Sequence, residues 1–87
     1  MDLLKYREQI DAIDDQLLRL FKERMSLARQ IALYKKEHNL PVLDTARETE
    51  KLAVIDEKAG RELRSYAHRL YALLFELSRA YQEGFNE

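Results

Sequence analysis

The chain has 87 residues, a formal net charge of −1, and 46% hydrophobic against 36% charged residues. That balance fits one small globular domain, expected over residues 1–87, and excludes a disordered segment. No cysteine is present, which excludes disulfides and thiolate metal sites. The near-zero charge gives no basic field of the kind that nucleic-acid binders carry.

The opening segment, residues 1–10, is charged throughout and has no apolar h-region, so it does not read as a secretory signal. No stretch approaches the ~18 consecutive apolar residues of a membrane span. A cytoplasmic protein without a membrane partner is expected. With only two glycines and one proline, long helices are favoured over short strands joined by turns.

Residues 2 to about 38 contain neither glycine nor proline, and Asp2 can cap the start of a helix there. Leu3, Tyr6, Ile10, Ile13, Leu17, Leu20, Arg24, Leu27, Ile31 and Tyr34 follow strict 3-4 spacing, a heptad seam broken by one charge. A second stripe, Leu18, Phe21, Met25, Ala28 and Ala32, widens the face expected to be buried. The segment His38-Asn39-Leu40-Pro41 ends the helix, because Pro41 disfavours α geometry at Leu40.

A second helix is expected from Asp44 or Thr45 to about Ala59. Thr45 and Glu48 have capping-box spacing at its start and Gly60 follows its end. Its apolar stripe, Leu52, Ile55 and Ala59, is thin. A third helix is expected from about Glu62 to Glu83, with Leu63, Tyr66, Leu70, Leu73, Leu74, Leu77 and Tyr81 as its packing face and Gly84 after it. The fold class is therefore all-α, with a long, a short and a medium helix. At 1.5 Å per residue the first spans roughly 50 Å, the second about 22 Å and the third about 33 Å. Two shorter helices cannot cover the whole seam, so an intertwined homodimer with the long helices packed together is expected.

Arg24 is the anomaly in the seam, because an unpaired buried guanidinium is costly. On local grounds it fits a structural ion pair or a snorkelling side chain at least as well as an anion ligand. Lys35 lies three turns on, roughly 16 Å away on the same side, so the two long side chains can grip one small dianion between them. Arg7 lies about 25 Å from Arg24 along the axis. It cannot share a pocket with Arg24 within one chain, but it can reach a partner's pocket in a crossed dimer. Arg7 and Lys35 also fit ordinary solvated charges.

Asp44-Thr45-Ala46-Arg47-Glu48 opens the second helix, where free N–H groups attract anions and Arg47 adds a fixed charge. Glu48 can accept from a substrate hydroxyl. A capping box with a surface ion pair explains the same residues. Ser78 and Gln82, an i, i+4 pair beside the third helix's apolar face, suit a neutral hydrogen-bonding wall or a plain helix–helix contact. His38 and His68 lack ligand spacing, no nucleophile–base arrangement is suggested, and no glycine-rich phosphate loop occurs. No metal or cofactor is expected.

The run Tyr6-Arg7-Glu8-Gln9-Ile10-Asp11-Ala12-Ile13-Asp14, then Leu17-Leu18, Glu23-Arg24, Ala28 to Lys35, Asp44-x-x-Arg47-Glu48 and Ser78-x-x-x-Gln82 resembles the all-helical (AroQ-type) chorismate mutases across essentially the whole chain. The resemblance implies an intertwined dimer of three-helix chains with two active sites, each drawing on both subunits. It implies rearrangement of chorismate to prephenate, on the shikimate route to phenylalanine and tyrosine. By the same resemblance, Arg24 and a partner's Arg7 bind the substrate carboxylates, and Arg47 and Ser78 complete that shell. Lys35 and Gln82 hydrogen-bond the ether oxygen. Glu48 accepts from the ring hydroxyl, with the backbone around Asp44 assisting. Isochorismate-pyruvate lyases share the fold but typically lack the acid at Glu48 and carry a bulkier residue at Ser78, so the retention of both favours the mutase. A non-catalytic helical dimerisation or regulatory module would explain the seam but not Arg24 within it.

Overall fold

A computed structural model describes residues 2–85. Three helices, α1 (Leu3–Glu37), α2 (Thr45–Ala59) and α3 (Arg64–Glu83), account for the regular structure, and among the described residues there is no strand. No helix among the described residues is long and apolar enough to cross a membrane.

Local chemistry sets each boundary. Asp2 caps α1 by accepting from the Lys5 N–H at 2.9 Å. At the other end Asn39 takes φ +56°, Leu40 N donates to Lys35 O at 2.8 Å and Asn39 N to Lys36 O at 3.4 Å. This is a Schellman closure with asparagine in the left-handed position. The stop thus lies at Asn39, two residues before the proline that marks it in the sequence.

Asp44, not Thr45, caps α2, its Oδ1 accepting from Arg47 N at 3.0 Å. The expected Thr45/Glu48 capping box does not form, because Asp44 supplies the acceptor one residue earlier and Glu48 is turned toward α3. Gly60 follows α2 at φ +81° and ψ 163°, a conformation that side-chain-bearing residues rarely adopt. A turn over residues 61–63 delays α3 to Arg64, two residues later than the sequence suggests.

α3 packs against both other helices. The faces it uses differ from those expected. On α1 only Ala28 and Ala32, from the second stripe, are buried, while the heptad seam stays open, with Ile10 54%, Leu17 56% and Leu27 63% exposed. On α3 the buried residues are Phe75 and Gln82, while of the expected packing face Leu74 is half-buried and Leu63, Tyr66, Leu70, Leu73, Leu77 and Tyr81 are exposed. Small alanines let α1 approach α3 closely, so the bulky leucine stripes point elsewhere.

The molecule measures 55 × 26 × 15 Å with a radius of gyration of 16.1 Å, against about 12 Å for a compact chain of this length. Every described residue of α1 up to Leu20 is exposed. The two large apolar faces exceed what a small monomer ordinarily leaves open to water.

Candidate anion-binding site

The C-terminal half of α1, the first turns of α2 and the C-terminal half of α3 enclose a cavity of about 370 Å³. α1 contributes Arg24, Ile31 and Lys35. Val42 and the cap residue Asp44 come from the connection, and Arg47, Glu48 and Lys51 from α2. α3 adds Phe75, Ser78, Arg79 and Gln82, the i, i+3, i+4, i+7 stripe of one helix face.

Seven of the eight residues singled out from the sequence, Arg24, Lys35, Asp44, Arg47, Glu48, Ser78 and Gln82, thus line one cavity. Arg7 does not; it lies on the exposed N-terminal half of α1, about 25 Å from Arg24 along the helix.

Five cations (Arg24, Lys35, Arg47, Lys51, Arg79) against two acids (Asp44, Glu48) give the wall a formal charge of 5 − 2 = +3. Little of this charge is neutralised within the chain. Arg24 forms no ion pair among the described residues. Its guanidinium instead lies 5.6 Å from the centre of the Phe75 ring, a cation–π contact that supports the stem and leaves the charge unmatched. This removes the structural ion pair as the reason for Arg24 within one chain. Lys35 Nζ donates to the Val42 carbonyl at 2.8 Å, which holds the ammonium at the cavity edge and ties α1 to the α2 approach.

Arg79 Nη1 donates to Glu48 Oε1, joining α3 to the first turn of α2. That hydrogen bond raises the guanidinium pKa above its already alkaline value, so Arg79 is cationic at any working pH. Gln82 is buried, its Nε2 donates to Ser78 Oγ at 3.1 Å, and its Oε1 is buried without a partner.

Phe75 and Arg79 escaped the sequence reading. The signal for them is the 3-4 stripe through Ser78 and Gln82, which the brighter leucine stripe of the same helix outshines. His68 of α3, which has no obvious acidic partner in the sequence, has its Nδ1 2.8 Å from Oδ1 of Asp56 in α2. Among the described residues no cluster could hold a metal ion.

Three helices and an arginine- and lysine-lined cavity define a small helical domain with a net cationic pocket. The chain belongs to the chorismate mutase type II family, whose model matches residues 6–83. It is 41% identical over 46 residues to the chorismate mutase of Methanocaldococcus jannaschii, covering 53% of this chain and 46% of that protein. It is 35% identical over 80 residues to the bifunctional chorismate mutase/prephenate dehydratase of Buchnera aphidicola, covering 88% of this chain and 20% of that protein. The T-protein of Haemophilus influenzae is 38% identical over 64 residues, 69% of this chain and 17% of its own length. The chain thus spans less than half the length of the curated relatives it matches. No solved structure matches it significantly.

Proposed function

We propose that this chain is a chorismate mutase, rearranging chorismate to prephenate on the route to phenylalanine and tyrosine, and that it works as a homodimer with two composite sites. The carrying observation is the convergence of Arg24, Lys35, Asp44, Arg47, Glu48, Ser78 and Gln82 on one cavity. The family membership and the net positive wall support the same reading.

The reaction is unimolecular and needs no nucleophile. The site must fold the enolpyruvyl side chain over the ring, so that the new carbon–carbon bond forms as the carbon–oxygen ether bond opens. It must also stabilise the negative charge that grows on the ether oxygen. Arg24 and the partner's Arg7 take the two carboxylates, with Arg47 and Ser78 completing that shell. Glu48 accepts from the ring hydroxyl beside the α2 N-terminus at Asp44. Lys35 and Gln82 donate to the ether oxygen.

Gln82 serves this role through its amide nitrogen. Ser78 can donate as well as accept, so a half-turn of the amide lets Oε1 accept from the Ser78 hydroxyl and frees Nε2 for the substrate. The same rotation relieves the unpartnered buried oxygen.

The dimer follows from exposed apolar surface. Ile13 at 51%, Leu17 at 56%, Leu70 at 52% and Leu73 at 49% exposure need cover. A second copy supplies the same faces in return and brings its Arg7 to the open end of the cavity.

Incubating the purified chain with chorismate and, separately, with isochorismate tests the activity. Prephenate from chorismate is expected. Salicylate and pyruvate from isochorismate alone would assign a lyase instead. No product from either would leave a non-catalytic helical assembly module.

A further inference from the structure

Among the described residues, Arg79 is the cavity's one cation bound to an acid. Arg24, Arg47 and Lys51 form no ion pair among the described residues, and Lys35 is held by a carbonyl. Arg79 is therefore the cation least free to take a substrate carboxylate. Its side chain is 29% exposed and that of Glu48 23%, so the contact between them is shielded on most sides.

The surroundings of Glu48 explain why such a contact matters. Arg24 and Lys35 of α1 line the same cavity, as do Arg47 and Lys51 of α2, with Asp44 as the other acid, and Arg79 of α3 meets Glu48 directly. An untethered carboxylate here is free to turn toward Lys51, three residues on along the same helix, and away from the place of the ring hydroxyl. Pinned by Oε1 to the α3 wall, it keeps its direction and leaves Oε2 available.

We propose that Arg79 is a positioning residue, holding Glu48 by one oxygen against α3 so that the other oxygen accepts from the ring hydroxyl of the substrate. The proposal rests on the mutase reading above. Arg79 acts through Glu48 and touches no reacting atom. Its effect is therefore confined to substrates that carry the hydroxyl and to variants that keep the carboxylate.

Steady-state kinetics of the wild type, Arg79→Met, Arg79→Lys, Glu48→Gln and Arg79→Met/Glu48→Gln test this. The substrates are chorismate and an analogue with hydrogen in place of the ring hydroxyl. With chorismate, Arg79→Met is expected to lower kcat/KM roughly tenfold to a hundredfold, the scale of one hydrogen bond to a charged group. Arg79→Lys should recover part of that loss. The double variant should be no worse than Glu48→Gln, and on the deoxy analogue wild type and Arg79→Met should be equal.

A purely structural staple gives additive losses in the double variant and the same loss factor on both substrates; either result overturns the proposal. If Arg79→Met fails to fold, Arg79→Lys carries the same substrate comparison. Wild-type turnover with an unaffected Arg79→Met overturns this inference alone. A wild-type chain without mutase activity overturns the mutase reading and this inference with it.

Discussion

Gln82 Nε2 lies 3.1 Å from Ser78 Oγ, one turn back along α3, and the other end of the Gln82 amide is buried with no partner. A buried polar atom without a hydrogen bond costs about 1–3 kcal/mol. Turned over, with Oε1 accepting from the Ser78 hydroxyl and Nε2 donating to a ligand, the amide recovers that cost. If Gln82 donates to the ether oxygen, Gln82→Ala lowers kcat about a hundredfold to a thousandfold, the usual loss for one such donor. Near-native helicity by circular dichroism would separate this loss from unfolding.

The amide does not ionise in the working pH range, so a hydrogen bond donated by Gln82 is independent of pH. The wild-type kcat should be flat from about pH 6 to pH 8. Gln82→Glu should work only while the new carboxyl is protonated and can donate, so its kcat should fall as pH rises. A sharp wild-type loss across neutrality would contradict the assignment.

Much of this site was legible in the sequence, for a physical reason. Arg24 and Lys35 stand out because a heptad seam makes any charge within it anomalous, and Ser78 and Gln82 because i, i+4 polar residues beside an apolar stripe need partners. Arg79 was hidden because its partner, Glu48, lies 31 residues away, and helical periodicity carries no information about pairing across helices. Periodicity likewise identified apolar faces without saying what covers them. The strongest stripes on α1 and α3 are exposed within the chain, whereas Ala28, Ala32 and Phe75 form its small core.

Arg24 tests the site against a structural role. Its guanidinium makes a ring contact with Phe75 and no ion pair among the described residues, a contact worth about 0.5–1 kcal/mol at a partly exposed site. If Arg24 is a carboxylate ligand, Arg24→Ala should therefore cost little stability in thermal unfolding while lowering kcat/KM by two or more orders of magnitude. A large drop in Tm with residual turnover would point to a structural residue.

Gly60 sets the geometry of the turn that leads into α3. No atom stands within 4 Å of where a Cβ would lie, so space does not forbid a side chain; the φ of +81° does. Gly60→Ala should destabilise the fold by about 1–2 kcal/mol, read as a lower denaturation midpoint at unchanged slope.

If the exposed seam is the interface between two copies, self-association and folding are inseparable. Leu17→Asp, at a position 56% exposed in the single chain, should convert a dimer to a monomer in sedimentation equilibrium. Helicity should fall as well, because a core of Ala28, Ala32 and Phe75 is too small to hold a chain of this length alone. An unchanged dimer would remove the seam from the interface.

The composite site is tested most directly by subunit mixing. Arg7→Ala and Arg24→Ala are each expected to be nearly inactive on chorismate. When equal amounts are unfolded and refolded together, half the dimers are mixed, and each mixed dimer rebuilds one intact site from the Arg24 of one chain and the Arg7 of the other. Prephenate formation should return to roughly a quarter of the wild-type rate, one intact site in four. No recovery on mixing, or a fully active Arg7→Ala chain by itself, would contradict a site shared between two copies.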